Sequence, residues 1–283
     1  MAWSSLTWLG FYGLGLLGLA LVAAQGQAQR QQTQLSTPRT TVSAQVFYQP
    51  GPELRDLRLQ IQRAGRPAMI LPFPAAMRVR AVDITAIDLD GDQEPELLLD
   101  VAEPGADCCS HTFIYYWMAE EEGYEAFHQF WGHHVSGYRP AGFAGPTQLR
   151  PWGAGPSLYF MGRDDRFQET VIPRGADLGP VQIWAWQSRT LAEVTPQFPG
   201  ATQASATRHW QAFQRYRRAG QRELAQAALA AYAADRTRLG DDRIWPQVEA
   251  NLGRPAVERL KAQLQAWGYR PTPPGGISPN PGR

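Results

Sequence analysis

Asp88-Leu89-Asp90-Gly91-Asp92-Gln93-Glu94-Pro95-Glu96-Leu97-Leu98-Leu99 carries an acidic side chain at every second position from 88 to 96, then runs into three leucines. Five carboxylates this close repel one another unless a cation or bulk water screens them. A hard cation such as Ca2+ gathers about six to eight oxygens from a short, tightly turned loop. The leucines that follow read as a buried strand. The stretch therefore predicts a calcium loop leading into a β-domain.

Short β-rich runs surround it on both sides. They cover residues 42–48, 57–62, 68–72 and 77–87 before the loop, and 97–101, 112–118, 157–161, 169–172 and 181–186 after it. The run Phe113-Ile114-Tyr115-Tyr116-Trp117 is aromatic and β-branched, as in a packed strand. Pro95-Glu96-Leu97-Leu98-Leu99 can be laid on Pro156-Ser157-Leu158-Tyr159-Phe160. Asp88, Asp90, Asp92 and Glu96 then fall on Leu149, Pro151, Gly153 and Ser157, so a second copy would keep the turn and lose the carboxylates. Residues 42–200 are thus expected to form an antiparallel β-domain of blade-like or stacked sheets.

Residues 203–270 change character. Gly220, Gly240, Gly253 and Gly268 punctuate four helical segments with apolar stripes such as Val257, Leu260 and Leu264. The fold class is α+β, with a C-terminal helical domain. The tail, 271–283, is rich in Pro and Gly and is expected to be disordered.

The chain begins with an apolar, uncharged segment from Leu9 to Ala24, and Val22-Ala23-Ala24 offers small residues for cleavage. Residues 1–28 are expected to be a signal peptide, or else a membrane anchor through residues 8–24. Residues 29–41, polar and Gln-rich, are expected to be a disordered linker. Both readings of the N-terminus place the folded part in the periplasm or outside the cell. The two cysteines, Cys108 and Cys109, are adjacent. In an oxidising compartment they form a vicinal disulfide; otherwise they are two buried thiols. A net charge of +1 gives no argument for a nucleic-acid partner.

The acidic loop is not an EF-hand, which wants Gly at position six and Glu at twelve where Gln93 and Leu99 stand. It resembles the shorter D-x-D-G-D-x-x-x-[DE] loop of the FG-GAP or VCBS-type repeats, found in integrin α-propellers and secreted bacterial proteins. The resemblance implies side-chain oxygens from Asp88, Asp90 and Asp92, the main-chain carbonyl of Glu94 and the carboxylate of Glu96. That family has Gly where Gln93 stands, which bears on the turn geometry, and Asp where Glu96 stands, which bears on cavity size. Residues 80–200, with Asp107-Cys108-Cys109-Ser110-His111 and Asp164-Asp165-Arg166-Phe167, are also similar to a group of uncharacterised bacterial exported proteins.

No catalytic motif is present: there is no G-x-S-x-G, no H-E-x-x-H and no phosphate-binding glycine loop. The expected function is an exported, calcium-stabilised binding or structural protein with a protein or glycan partner, leaning away from enzyme. One alternative is an exported hydrolase with its site near Asp164, Asp165 and the His128–His134 region. The other is a periplasmic thiol or metal sensor using Cys108 and Cys109, with His111, His128, His133 and His134 nearby. Asp164-Asp165 is otherwise expected to be a turn, and Glu120-Glu121-Glu122 a solvated hairpin tip. Arg215, Arg217, Arg218 and Arg222 read as a solvated helix face.

Overall fold

The computed structural model describes residues 28–73, 77–105, 108–133, 149–151, 156–171, 173, 176 and 178–271. The expected signal or anchor segment, His134, Gly153 and the tail from 272 lie outside them, and among the described residues no helix is long and apolar enough to cross a membrane.

Among the described residues, twelve strands form three four-stranded antiparallel sheets, each a meander in chain order. The first holds β1 (Gln29–Ser36), β2 (Thr41–Gln49), β3 (Arg55–Arg63) and β4 (Met69–Pro72). The second holds β5 (Ala81–Ile87), β6 (Glu96–Ala102), β7 (Cys108–Met118) and β8 (Gly123–His133). The third holds β9 (Leu149–Pro151), β10 (Leu158–Arg163), β11 (Val181–Gln187) and β12 (Thr190–Glu193). The two stretches aligned in the sequence, at 95–99 and 156–160, lead into β6 and β10, the second strands of consecutive meanders.

β6 explains the unbroken leucine run. Leu97, Leu99 and Val101 pack with Val42, Val46, Leu59 and Ile61 of the first sheet. Leu98 points to the opposite face and packs with Ile114, Trp131, Phe160 and Trp186, toward the third sheet. A strand covered on both faces has no polar side, so alternation disappears. The far face of the third sheet carries Val181, Ile183 and Ala185 against Phe198 and Ala201 at the start of the helical region.

That region contains α2 (Pro199–Arg218), α3 (Arg222–Arg238), α4 (Trp245–Leu252) and α5 (Arg254–Ala266). The expected helices and their terminal glycines are present. Gly240 takes φ 72°, and its N–H and that of Asp241 bond back to Thr237 and Arg236, closing α3 as only a residue without Cβ does cheaply. α3 is buried nearly all round, with seven alanines in the core, and their small size lets α2 approach closely.

Two expectations need correction. Residues 29–36 of the expected linker form β1, whose eight residues pair in register with β2 from Gln29↔Tyr48 to Ser36↔Thr41. A polar edge strand has no apolar signal of its own; its partner's backbone defines it. Residues 166–170, overlapping the expected strand at 169–172, form the short helix α1 (Arg166–Thr170). Helical geometry drives Phe167 into the helical core beside Trp267 and Tyr269.

Inside the second sheet, Asp100 is buried, and its carboxyl accepts a hydrogen bond from Thr112, which in turn accepts from Trp131 Nε1 at 2.8 Å. Burial pushes its pKa up to about 8, and the facing Asp83 adds to the shift. A raised folded-state pKa means the folded chain holds a proton that the unfolded chain releases near pH 4. That stability is complete below the unfolded value and is lost as pH rises toward 8. Asp100 should therefore make the unfolding free energy fall with pH, its own share being at most about 1.4 kcal/mol per unit between pH 6 and 8. Urea titrations at several pH values should show Asp100→Asn flattening this part of the slope.

Candidate metal loop and adjacent cleft

The acidic loop joins β5 to β6 and folds around its own carboxylates. Asp88 accepts the N–H groups of Gly91 at 2.8 Å and Gln93 at 3.0 Å. Asp92 accepts Glu94 N–H at 2.7 Å, and Glu96 accepts Leu89 N–H at 2.9 Å. Turning this tightly requires positive φ at Gly91 (81°) and Gln93 (71°). Gln93 is thus a non-glycine residue in the left-handed region, at the position where the resembled family has glycine. Gln93→Gly should stabilise the chain by about 0.5–1 kcal/mol, or about 1–3 °C in Tm, in a thermal melt.

Asp88, Asp90 and Glu96 each bring an oxygen to within 4.8 Å of the others. Glu96 is only 5 % exposed, and desolvation pushes its carboxyl up to about 8, assisted by the charges of Asp90, Asp92 and Asp88 and opposed by the Leu89 N–H. Asp90 is raised too, first by desolvation and then by Asp92. An all-oxygen donor set of this kind suits Ca2+, supplying three of its ligands from side chains.

Asp92, the remaining expected side-chain ligand, is turned elsewhere. Asp92 faces Arg39 at 3.5 Å, and Glu94 makes a two-armed pair with Arg63, one arm at 2.9 Å. The Glu94 side chain is therefore committed to the first sheet, leaving only its main chain for a cation. Thr37 donates to the Gln93 carbonyl at 2.7 Å. On the opposite side, Ser157 donates to the Asp90 carbonyl at 3.1 Å and Leu158 N–H to the Leu89 carbonyl at 2.8 Å. A Cβ on Gly91 would lie 2.2 Å from Pro156. The loop of the second sheet is thus fastened to both its neighbours.

Among the described residues the histidines do not gather on one point. His111 bonds to His128 at 3.0 Å and to Glu103 at 2.9 Å, with His128 stacked on Phe113. His133 Nδ1 lies 3.0 Å from Asp165, and His209 is buried against Asp235 at 2.8 Å in the helical core. Cys109 is disulfide-bonded, and Cys108 is the one other cysteine in the chain. Glu120–Glu122 form the exposed turn between β7 and β8, as expected. Arg215, Arg217, Arg218 and Arg222 are likewise exposed.

Asp164 departs most from expectation. It is 1 % exposed, accepts two bonds from the Arg166 guanidinium at 2.8 and 2.6 Å, and accepts the Tyr269 hydroxyl at 2.8 Å. Arg238 of α3 lies over the Tyr269 ring at 4.1 Å, donates to the Val181 carbonyl at 2.6 Å and pairs with Glu193 at 2.8 Å. The expected turn is present, with Phe167 N–H bonded to the Asp164 carbonyl at 3.2 Å, and the Asp164 side chain adds a polar joint locking helices to the third sheet.

Above this joint, between β8 of the second sheet and β10–β12 of the third, lies a cleft of about 340 Å3. Trp131 and Trp184 line it, and so do Asp165 and Glu193. Nothing local in the sequence marks Trp131, Trp184 or Glu193 as cleft residues, since the aromatic density of β8 and β11 equally describes core.

No family model, no curated protein and no solved structure matches this chain. The residues and their geometry carry the functional reading.

Proposed function

We propose that the chain is an exported binding module in which Asp88, Asp90 and Glu96, with the Glu94 main-chain carbonyl, hold Ca2+. The three meanders are read as blade-like units. The carrying observation is that three carboxylates converge in a loop bonded to the first and third sheets as well as its own. A cation there would offset the repulsion and the desolvation of Glu96, so the loop would hold neighbouring sheets at fixed spacing around the cleft. The apolar N-terminal segment supports a periplasmic or secreted location, where low-affinity calcium sites can fill.

Saturating calcium at about one hundred times Kd should stabilise the chain by about 2.7 kcal/mol, roughly 5–10 °C in Tm relative to EDTA. Asp90→Ala should abolish the shift. A melt that does not move at millimolar calcium overturns the reading.

A hydrolytic reading has one observation in its favour. A carboxylate only accepts, so the His133 Nδ1 facing Asp165 carries the proton, and Nε2 is left as a base. Turnover of model esters or glycosides that disappears in His133→Ala would support it over simple binding.

A further inference from the structure

We propose that the cleft between the second and third sheets binds a neutral saccharide. This rests on the binding-module reading but not on its calcium. The volume, about 340 Å3, falls at the lower end of ordinary ligand sites, enough for one or two sugar rings. Its walls combine two kinds of group. Trp184 is half-buried on the third-sheet side, with Trp131 packed edge-on behind it at 6.3 Å. The open part of the Trp184 ring matches the C–H face of a pyranose ring, which is apolar and unable to hydrogen-bond. Around it the cleft is lined by planar polar groups, Gln129, Gln182, Asp165 and Glu193, which offer both donors and acceptors to hydroxyls.

The charge pattern selects the neutral ligand. Arg166 is spent on Asp164 at 2.6 Å, Arg238 on Glu193 at 2.8 Å, and His133 on Asp165 at 3.0 Å. Arg163 donates to the Gly179 carbonyl at 3.2 Å. An ionic ligand would have to break one of these pairs and leave a half-buried charge behind. A hydroxyl need only use the remaining lone pairs. Glu193 has one to give: its Oε1 takes Arg238 and Thr195, while Oε2 has a single long contact to Gln182 at 3.5 Å.

The full chain should be titrated in calcium with maltotriose, cellotriose, N,N′,N″-triacetylchitotriose and, as an acidic counterpart, trigalacturonate, following tryptophan fluorescence and calorimetry. At least one neutral sugar should bind, with an affinity that is insensitive to salt because no ion pair forms. Trp184→Ala should weaken it by about ten-fold or more. Gln129→Ala, a polar position on the β8 wall outside every core cluster, should weaken it as well. No response to any neutral sugar at about 10 mM, tighter binding of trigalacturonate, or unchanged binding in folded Gln129→Ala overturns the proposal. Repeating the calcium melt separates the two readings: a calcium shift without sugar binding removes the saccharide site alone, and sugar binding without a calcium shift removes the clip alone.

Discussion

Asp164→Ala is expected to cost about 3 kcal/mol, read as a lower urea midpoint with an unchanged slope. The carboxylate accepts two bonds from the Arg166 side chain, one from its N–H at 3.1 Å and one from Tyr269. Its removal strands the Tyr269 hydroxyl, which is buried, and leaves Arg238 over a tyrosine whose position is no longer fixed. Losing one partner of a buried pair costs about 3–5 kcal/mol, and the lower end applies because Arg166 is partly solvated and can turn to water. Asp164→Asn, which keeps the shape and one acceptor oxygen, should lose about half as much. Because the joint ties α1, α5's C-terminal extension, α3 and the third sheet together, tryptophan fluorescence and helical circular dichroism should shift together. A shift in the helical signal alone would mean that sheets and helices unfold independently.

Gly132→Ala should cost about 2–4 kcal/mol and disorganise the cleft. Gly132 has φ 80°, and a Cβ there would stand 1.8 Å from an Asp165 carboxylate oxygen. Asp165 cannot simply swing away: it accepts both the backbone N–H of His133 at 2.9 Å and its Nδ1–H at 3.0 Å, and its carbonyl accepts Gln168 N–H at 2.8 Å. Gly65 supplies the control. It has nearly the same φ, 73°, with nothing within 4 Å of its virtual Cβ. Gly65→Ala should therefore show backbone strain alone, about 1 kcal/mol, and the difference between the two measures the displacement of Asp165. Equal losses at both positions would show that Asp165 yields freely.

Local chemistry was legible wherever the chain acts on itself. The alternating carboxylates of 88–96 close a loop on their own N–H groups, so spacing alone announces the turn. Helix ends at Gly220, Gly240, Gly253 and Gly268 were legible for the same reason, since positive φ is a property of single residues. The candidate metal set was legible only in part. Asp88, Asp90 and Glu96 converge, but Asp92 turns to Arg39, a partner 53 positions away that no local pattern marks.

By itself, then, the sequence determined the class: β-rich first, helical last, with an oxygen-rich loop before a buried strand. These follow from side-chain period, turn residues and charge density, all interactions within a few residues. Only the tertiary structure decided that polar residues 29–36 are a strand, that Asp164 is a buried joint and that Trp131, Trp184, Asp165 and Glu193 face one cleft. Each depends on a partner supplied by a distant part of the chain: a backbone edge, an arginine and a tyrosine, a second sheet. Burial and hydrogen bonding to such partners outweigh the local preference of a polar residue for water, and that balance is set when the sheets stack.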